Sequence, residues 1–247
     1  MKSWLVPVTK LHPSDRIAMY TLLENHFQGI TWDGFQTDLT RKNWVLLLRD
    51  EISHALKGFS TLMLCQTSFC GEKISVVYSG DTIVDPTAWS STTLPRTWIA
   101  AVNFLRQQYA ADNKLYWLLI CSGFRTYRFL PIFWKEFYPR YNKDTPVLIE
   151  NLMASLAQEY YGDSYDKTTG IVRFKSPQIL GDELIQIPKG RQTNPHIQFF
   201  TTKTPGYRFG DELVCLTEIC YENLTHAGQR MWEAESPLEF VQDSVLI

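Results

Sequence analysis

Ile74-Ser75-Val76-Val77-Tyr78-Ser79-Gly80-Asp81-Thr82-Ile83-Val84 is a run of β-branched and aromatic residues stopped by Pro86, and beyond Pro95 comes Trp98, Val102, Leu105 and Tyr109. The first segment reads as a long strand, because such residues fit a pleated surface and proline ends the ladder. The second repeats apolar residues at helical spacing, with Pro95 where a first helical turn accepts it. Leu115-Tyr116-Trp117-Leu118-Leu119-Ile120-Cys121 then reads as a fully apolar strand. Two strands joined through a helix suit parallel pairing under cover on both faces, so these segments form one βαβ unit. Gly80 invites a bulge or a close backbone approach. Asp81 puts a carboxylate where burial demands a partner or a role.

Upstream, Trp4 to Val8 reads as a short strand, and His12-Pro13-Ser14-Asp15 supplies helix-start chemistry for a helix to about His26. Thr31-Trp32-Asp33 opens a second helix through Leu39. Trp44 to Leu48 and Leu56 to Cys65 read as a hairpin that includes Gly58-Phe59-Ser60-Thr61. With Ile74 to Val84 this makes three consecutive antiparallel strands.

Downstream, Pro131 and Pro139 bracket a short aromatic helix with Phe133, Trp134 and Phe137. Val147 to Tyr161 is a further helix, with Leu148, Leu152 and Leu156 four apart. Residues 162–191 alternate polar, Gly and Pro residues around one short strand at Ile171 to Phe174, which marks a loop-rich insertion. His196 to Thr202 and Leu213 to Ile219 read as closing strands. The chain is thus read as one domain over residues 1–222 with the insertion at about 162–191, and an acidic tail over 223–247, where Glu233, Glu235, Glu239 and Asp243 follow Trp232 and a solvated end is expected.

The chain has 247 residues, 45% of them hydrophobic and 20% charged, which suits one compact unit with additions. A net charge of −2 offers no field of one sign for a polyanion, so nucleic acid is not expected as a partner. The five cysteines lack zinc-site spacing, so no metal is expected, and they fit reduced thiols in a cytoplasmic protein. No secretory leader and no membrane span is read from the sequence. Aromatic residues reach 14%, enough to fill a core or to line an apolar pocket.

The order strand, two helices, three antiparallel strands, helix, strand, helix and final strand pair resembles the GCN5-related N-acetyltransferase (GNAT) superfamily. The resemblance runs from about Trp4 to Ile219. It rests on Gly58-Phe59-Ser60-Thr61, on Val77-Tyr78-Ser79-Gly80-Asp81, on the helix after it, and on Phe137-Tyr138. It implies an α/β fold with a mixed, mostly antiparallel twisted sheet, a splayed central strand pair and flanking helices. It also implies direct transfer of an acyl group from acyl-CoA, acetyl or longer, to an amine acceptor, a small molecule or a peptide side chain.

In that frame the backbone of Tyr78, Ser79 and Gly80 would polarise the thioester carbonyl. Asp81 would be the base, or bind the ammonium, or hold the splayed strand by an Asx-type link. Tyr138 matches the superfamily's proton donor to the leaving thiolate, unless it only packs. His196, at the start of a closing strand, is a second base or a structural histidine. The superfamily's glycine-rich diphosphate turn is missing. In its place stand Ser90, Ser91, Thr92, Thr93 and Arg96, whose hydroxyls and helix N-terminus either hold a phosphate or simply cap the helix.

That departure leaves an acyl carrier protein open as the donor, with Arg125 and Arg128 available to a phosphopantetheine arm or to solvent. Phe124, Tyr127, Phe129, Phe133 and Phe137 would wall a fatty acyl chain or pack the core. A catalytically degenerate relative that only binds a ligand or a carrier protein is the alternative. A homodimer formed through an exposed aromatic helix around Trp134 is a third reading.

Overall fold

The computed structural model describes residues 1–89, 91–234 and 238–241. In chain order the elements are β1 (Lys2–Pro7), α1 (Pro13–Glu24), β2 (Phe27–Gln28), α2 (Trp32–Thr40), β3 (Trp44–Arg49), β4 (Leu56–Phe69), β5 (Glu72–Val84), α3 (Thr93–Tyr109), β6 (Lys114–Cys121), α4 (Phe124–Phe133) and β7 (Phe137–Tyr138). They continue with α5 (Val147–Tyr161), β8 (Tyr165–Asp166), β9 (Ile171–Val172), β10 (Ile179–Leu180), α6 (Asp182–Ile185), α7 (Pro195–Lys203), β11 (Glu212–Glu218), α8 (His226–Glu233) and β12 (Leu238–Phe240).

Among the described residues one sheet runs in the order β12-β1-β3-β4-β5-β6-β11-β9-β8, with β7 also paired to β11. β3, β4 and β5 are antiparallel neighbours, and β5 and β6 are parallel partners joined through α3. The βαβ unit and the three-strand meander therefore sit as the sequence pattern requires. Apolar residues are buried on both faces of the sheet. Trp98 of α3 stacks on Trp117 of β6 at 4.1 Å on one face, while Tyr78 of β5 stacks on Tyr160 of α5 at 5.7 Å on the other.

Three stretches differ from expectation. His196 to Thr202 lies in a helix, α7, and not in a strand: Asn194 accepts hydrogen bonds from the backbone N–H of His196 and Ile197, and Pro195 sits at its first position. That capping pair outweighs the β-branched content that suggested a strand. The aromatic helix comes earlier than its flanking prolines suggest, at Phe124–Phe133. Trp134 leaves it in extended conformation and Phe137-Tyr138 form a short strand on β11. Trp134 is 1% exposed and packs on Trp98 and Trp117, so it forms no surface patch for a dimer.

The acidic end is docked over much of its described length. α8 packs against α3 and α4. β12 adds a parallel edge strand to β1, with Trp4 Nε1 donating to Glu239 Oε2 at 2.8 Å and Phe240 stacked on Phe104 at 4.1 Å. Glu235 and Asp243 lie outside the described residues. Among the described residues no helix is long and apolar enough to cross a membrane.

Candidate active site

The parallel register of β5 with β6 stops at Ser79 opposite Leu119. Beyond that point β5 continues to Val84 paired with β4 alone, and β6 continues to Cys121 paired with β11. The two strands therefore part, and the backbone of Gly80 to Val84 has no partner from β6. On the β4 side the register shifts between Ser60 and Leu62: Ser60 pairs Thr82 and Leu62 pairs Ser79, so Gly80 and Asp81 together oppose Thr61. This bulge is the break that Gly80 signalled.

On the α3 and α4 face of the split lies a cavity of about 610 Å³. Ser79, Thr82 and Val84 of β5, Leu94 and Trp98 of α3, Trp117 of β6 and Phe129 and Phe133 of α4 line it. Trp117 Nε1 donates to Ser79 Oγ at 2.8 Å in full burial, which fixes the indole against the point where the strands part. Its size and largely apolar wall are those of a small-molecule site.

The opposite face carries a charged cluster. Lys42, just past α2, is 6% exposed, and its Nζ donates to both carboxylate oxygens of Asp38 at 2.6 Å while lying 5.2 Å above the Tyr78 ring. Burial raises the Asp81 carboxyl to about 7; the Asp38 charge adds to the rise and the Lys42 ammonium opposes it. Glu212, at the start of β11, is pushed up to about 8 by burial and by the charge of Asp81. Burial also holds the Tyr78 phenol far above its ordinary range. A carboxyl that titrates near neutrality has the proton affinity a general base needs at pH 7.

The other sequence candidates disperse. Ser91 reaches the cavity wall, but its hydroxyl is hydrogen-bonded to Thr93 Oγ1 at 2.6 Å and accepts from Thr93 N, so these two cap the start of α3 locally. Thr92 sits at the cap position without a side-chain cap bond, and Ser90 lies outside the described residues. Arg96 is the fourth residue of the same helix and is not among the cavity-lining residues.

Tyr138 lies three strands beyond β5, in register with Leu216, Leu118 and Tyr78 in turn, about 14 Å from the Tyr78 backbone at the ordinary strand spacing. Its hydroxyl donates to Glu136 Oε2. His196 packs among Tyr141, Phe137 and Tyr127 on α7, where burial and the charges of Arg140 and Arg128 lower its pKa. Neither joins the cluster around Asp81. Tyr127, among the aromatics read as wall or core, is fully buried and its hydroxyl donates to Pro139 O at 3.0 Å.

Asp38, Lys42 and Glu212 were not legible as site residues. The first two lie on a short helix end with an ordinary i,i+4 charge pair, and Glu212 opens a strand far away in sequence. Among the described residues no group of three or more His, Cys, Asp or Glu is placed to hold a metal ion.

No family model matches the sequence, and comparison with curated proteins returns no match. Solved structures do resemble the fold. An acetyltransferase of Trypanosoma brucei is 16% identical over 47% of this chain and 81% of its own, with a TM-score of 0.35. A GNAT family N-acetyltransferase of Escherichia coli in complex with CoA is 14% identical over 49% of this chain and 64% of its own, at 0.34. A probable N-acyltransferase of Enterococcus faecalis is 11% identical over 89% of this chain and 66% of its own, at 0.40. Likenesses of this size say nothing of substrate. What the strand order, the bulge at Gly80 and the parting of β5 from β6 establish is the architecture: a mixed, mostly antiparallel open sheet whose central parallel strands split, the arrangement that the resemblance to the GNAT superfamily implies.

Proposed function

We propose that this protein is an N-acyltransferase that moves an acyl group from a thioester, acyl-CoA by default, to an amine. One observation carries the reading. The strands part between an apolar cavity on one face of the sheet and a half-buried carboxyl pair on the other, an arrangement that would let a donor and an amine meet across the gap.

In this reading the thioester enters from the cavity and its carbonyl oxygen accepts hydrogen bonds from the unpaired backbone of β5 near Gly80. The amine approaches from the Asp81 side, and Asp81, or Glu212 beside it, takes its proton. The nitrogen forms a bond to the carbonyl carbon, the carbon–sulfur bond breaks, and the thiolate leaves with the electron pair and collects a proton from solvent or from the carboxylic acid just formed. Direct attack needs no covalent enzyme intermediate, and Cys121, fully buried and with its thiol pushed up by burial, is no nucleophile. The volume and apolar lining of the cavity favour a medium or long acyl chain over acetyl.

The test is release of free thiol from acyl-CoA donors of increasing length, with and without a panel of primary amines. Release that needs both partners and that falls at least 100-fold in Asp81→Asn supports the proposal, in line with a typical ~10²–10⁴-fold contribution of a general base. Donor binding without thiol release for any amine would make the protein a ligand-binding relative instead.

A further inference from the structure

The missing glycine-rich turn leaves open where such a donor's phosphates would rest, and α3 does not answer it, because Ser91 and Thr93 satisfy one another. Three guanidinium groups stand at the same cavity on other elements: Arg125 and Arg128 on α4, and Arg191 on the turn before α7. None of the three forms an ion pair among the described residues, and the nearby Asp182 and Glu183 of α6 are exposed and do not engage them.

Arg125 is held in place: Nη1 donates to Leu184 O, and the guanidinium lies 4.5 Å over the Trp89 ring and 4.7 Å over Phe124. Trp89 is anchored in turn by its Nε1, which donates to Val84 O at 2.9 Å. Arg128 and Arg191 make no guanidinium hydrogen bond to any described residue. Gly123, the cap of α4, lines the cavity without a side-chain cap bond, so the first N–H groups of this helix also border the space. Burial and the neighbouring positive charges lower the Arg125 and Arg128 pKa values. Like charges gathered at the cavity mouth, half-buried at Arg125 and Arg128 and exposed at Arg191, suit an anionic ligand.

We propose that Arg125, Arg128 and Arg191 form the phosphate-binding rim of the cavity and take the phosphate of a phosphopantetheine-bearing acyl donor at α4 instead of at the start of α3. The inference rests on the acyl-donor reading above and adds which residues grip the donor. The shared chemistry is a phosphate ester on the pantetheine arm, from a free nucleotide donor or from a carrier protein.

Calorimetric titration with octanoyl-CoA, octanoyl-4′-phosphopantetheine and octanoyl-pantetheine tests it. The protein should bind the two phosphorylated donors at least tenfold more tightly than the third, since one charge-assisted hydrogen bond is worth about that factor. The Arg128→Ala/Arg191→Ala variant should lose most of that preference and keep its affinity for octanoyl-pantetheine. Arg191→Glu, at an exposed turn position, should likewise lose most of it. Tighter binding of octanoyl-CoA than of octanoyl-phosphopantetheine would identify the nucleotide diphosphate as the ligand; equal binding would identify the single phosphate of a carrier arm. A preference for phosphorylated donors that survives in both variants overturns the rim and leaves the acyltransferase reading standing. Failure of all three donors to bind the unaltered protein overturns both.

Discussion

A Cβ placed on Gly80 would lie 2.6 Å from Lys42 Cε and 2.6 Å from Thr61 Oγ1. The bulge of β5 is thus open at Gly80 because the Lys42 side chain passes over it toward Asp38. Lys42 joins α2 to the point where the sheet parts, and it is the cation that opposes the rise of the Asp81 pKa.

Gly80→Ala should therefore cost about 1–3 kcal/mol, the usual penalty for adding a methyl group to a packed site. Urea denaturation reads it as a lower midpoint at unchanged slope. Full stability in this variant would mean that Lys42 has room to move aside.

Lys42→Met keeps most of the aliphatic stem over Tyr78 and removes the charge. The Asp81 pKa should then rise above its present value of about 7, because the ammonium charge that lowers it is gone. Carbon-13 NMR titration of the aspartate carboxyls measures this directly, and the acid limb of the pH–rate profile should move the same way. A downward shift would mean that the two groups do not face one another.

Asp81 and Glu212 set a pH dependence of stability with a definite sign. Their folded values, about 7 and about 8, exceed the ordinary carboxyl range near 4, so the folded chain binds more protons than the unfolded chain across that interval. Their contribution to stability is then greatest below pH 4 and is lost as pH rises through 7 and 8. His196 acts in the opposite sense, because its lowered pKa favours the folded state as pH rises past the ordinary histidine value. The comparison that isolates the carboxyls is between the unaltered protein and Asp81→Asn/Glu212→Gln, by denaturation at pH 5.5 and 8.5. The variant should lose less stability between the two.

Asn223 ties β7 to the sheet: its Nδ2 donates to Glu136 O, Thr217 Oγ1 and Glu218 O, and its Oδ1 accepts from Glu136 N. Asn223→Ala should cost about 1–2 kcal/mol, since it removes the partner of the part-buried Glu218 O and of the exposed Glu136 N at once. Thermal denaturation measures the loss. Because this tether is remote from Asp81, acyl transfer at a temperature where the variant stays folded should be unchanged.

Thr126→Trp places a large ring at a half-buried position on the cavity wall. Thermal stabilisation by acyl-CoA donors should grow with chain length in the unaltered protein, at up to ~0.8 kcal/mol per buried methylene. In the variant this growth should stop at short chains. An identical ladder in both proteins would place the acyl chain elsewhere.

Much of this was readable along the chain. The apolar run of β6, the helical spacing of α3 and the β-branched length of β5 specify their elements locally, and the glycine next to an aspartate marked the bulge before any contact was known. Other segments depart from the sequence pattern where a local signal outranks average composition. The Asn194-Pro195 start made a helix of a β-branched stretch, and Trp134 and Tyr138 left their helix because extended pairing on β11 and burial against Trp98 and Trp117 claimed them.

By itself the sequence determined the order of the central elements from β3 to β6, the βαβ unit and the singular position of Gly80 and Asp81, because periodicity and turn chemistry act over a few residues. Only the tertiary structure decided which groups surround Asp81. Asp38, Lys42 and Glu212 come from an early helix end and a late strand, and they meet because β5 and β6 part while β11 stays paired to β6. Proton affinity depends on burial and on charges within a few ångströms, so the chemistry of Asp81 exists only once those strands are in place.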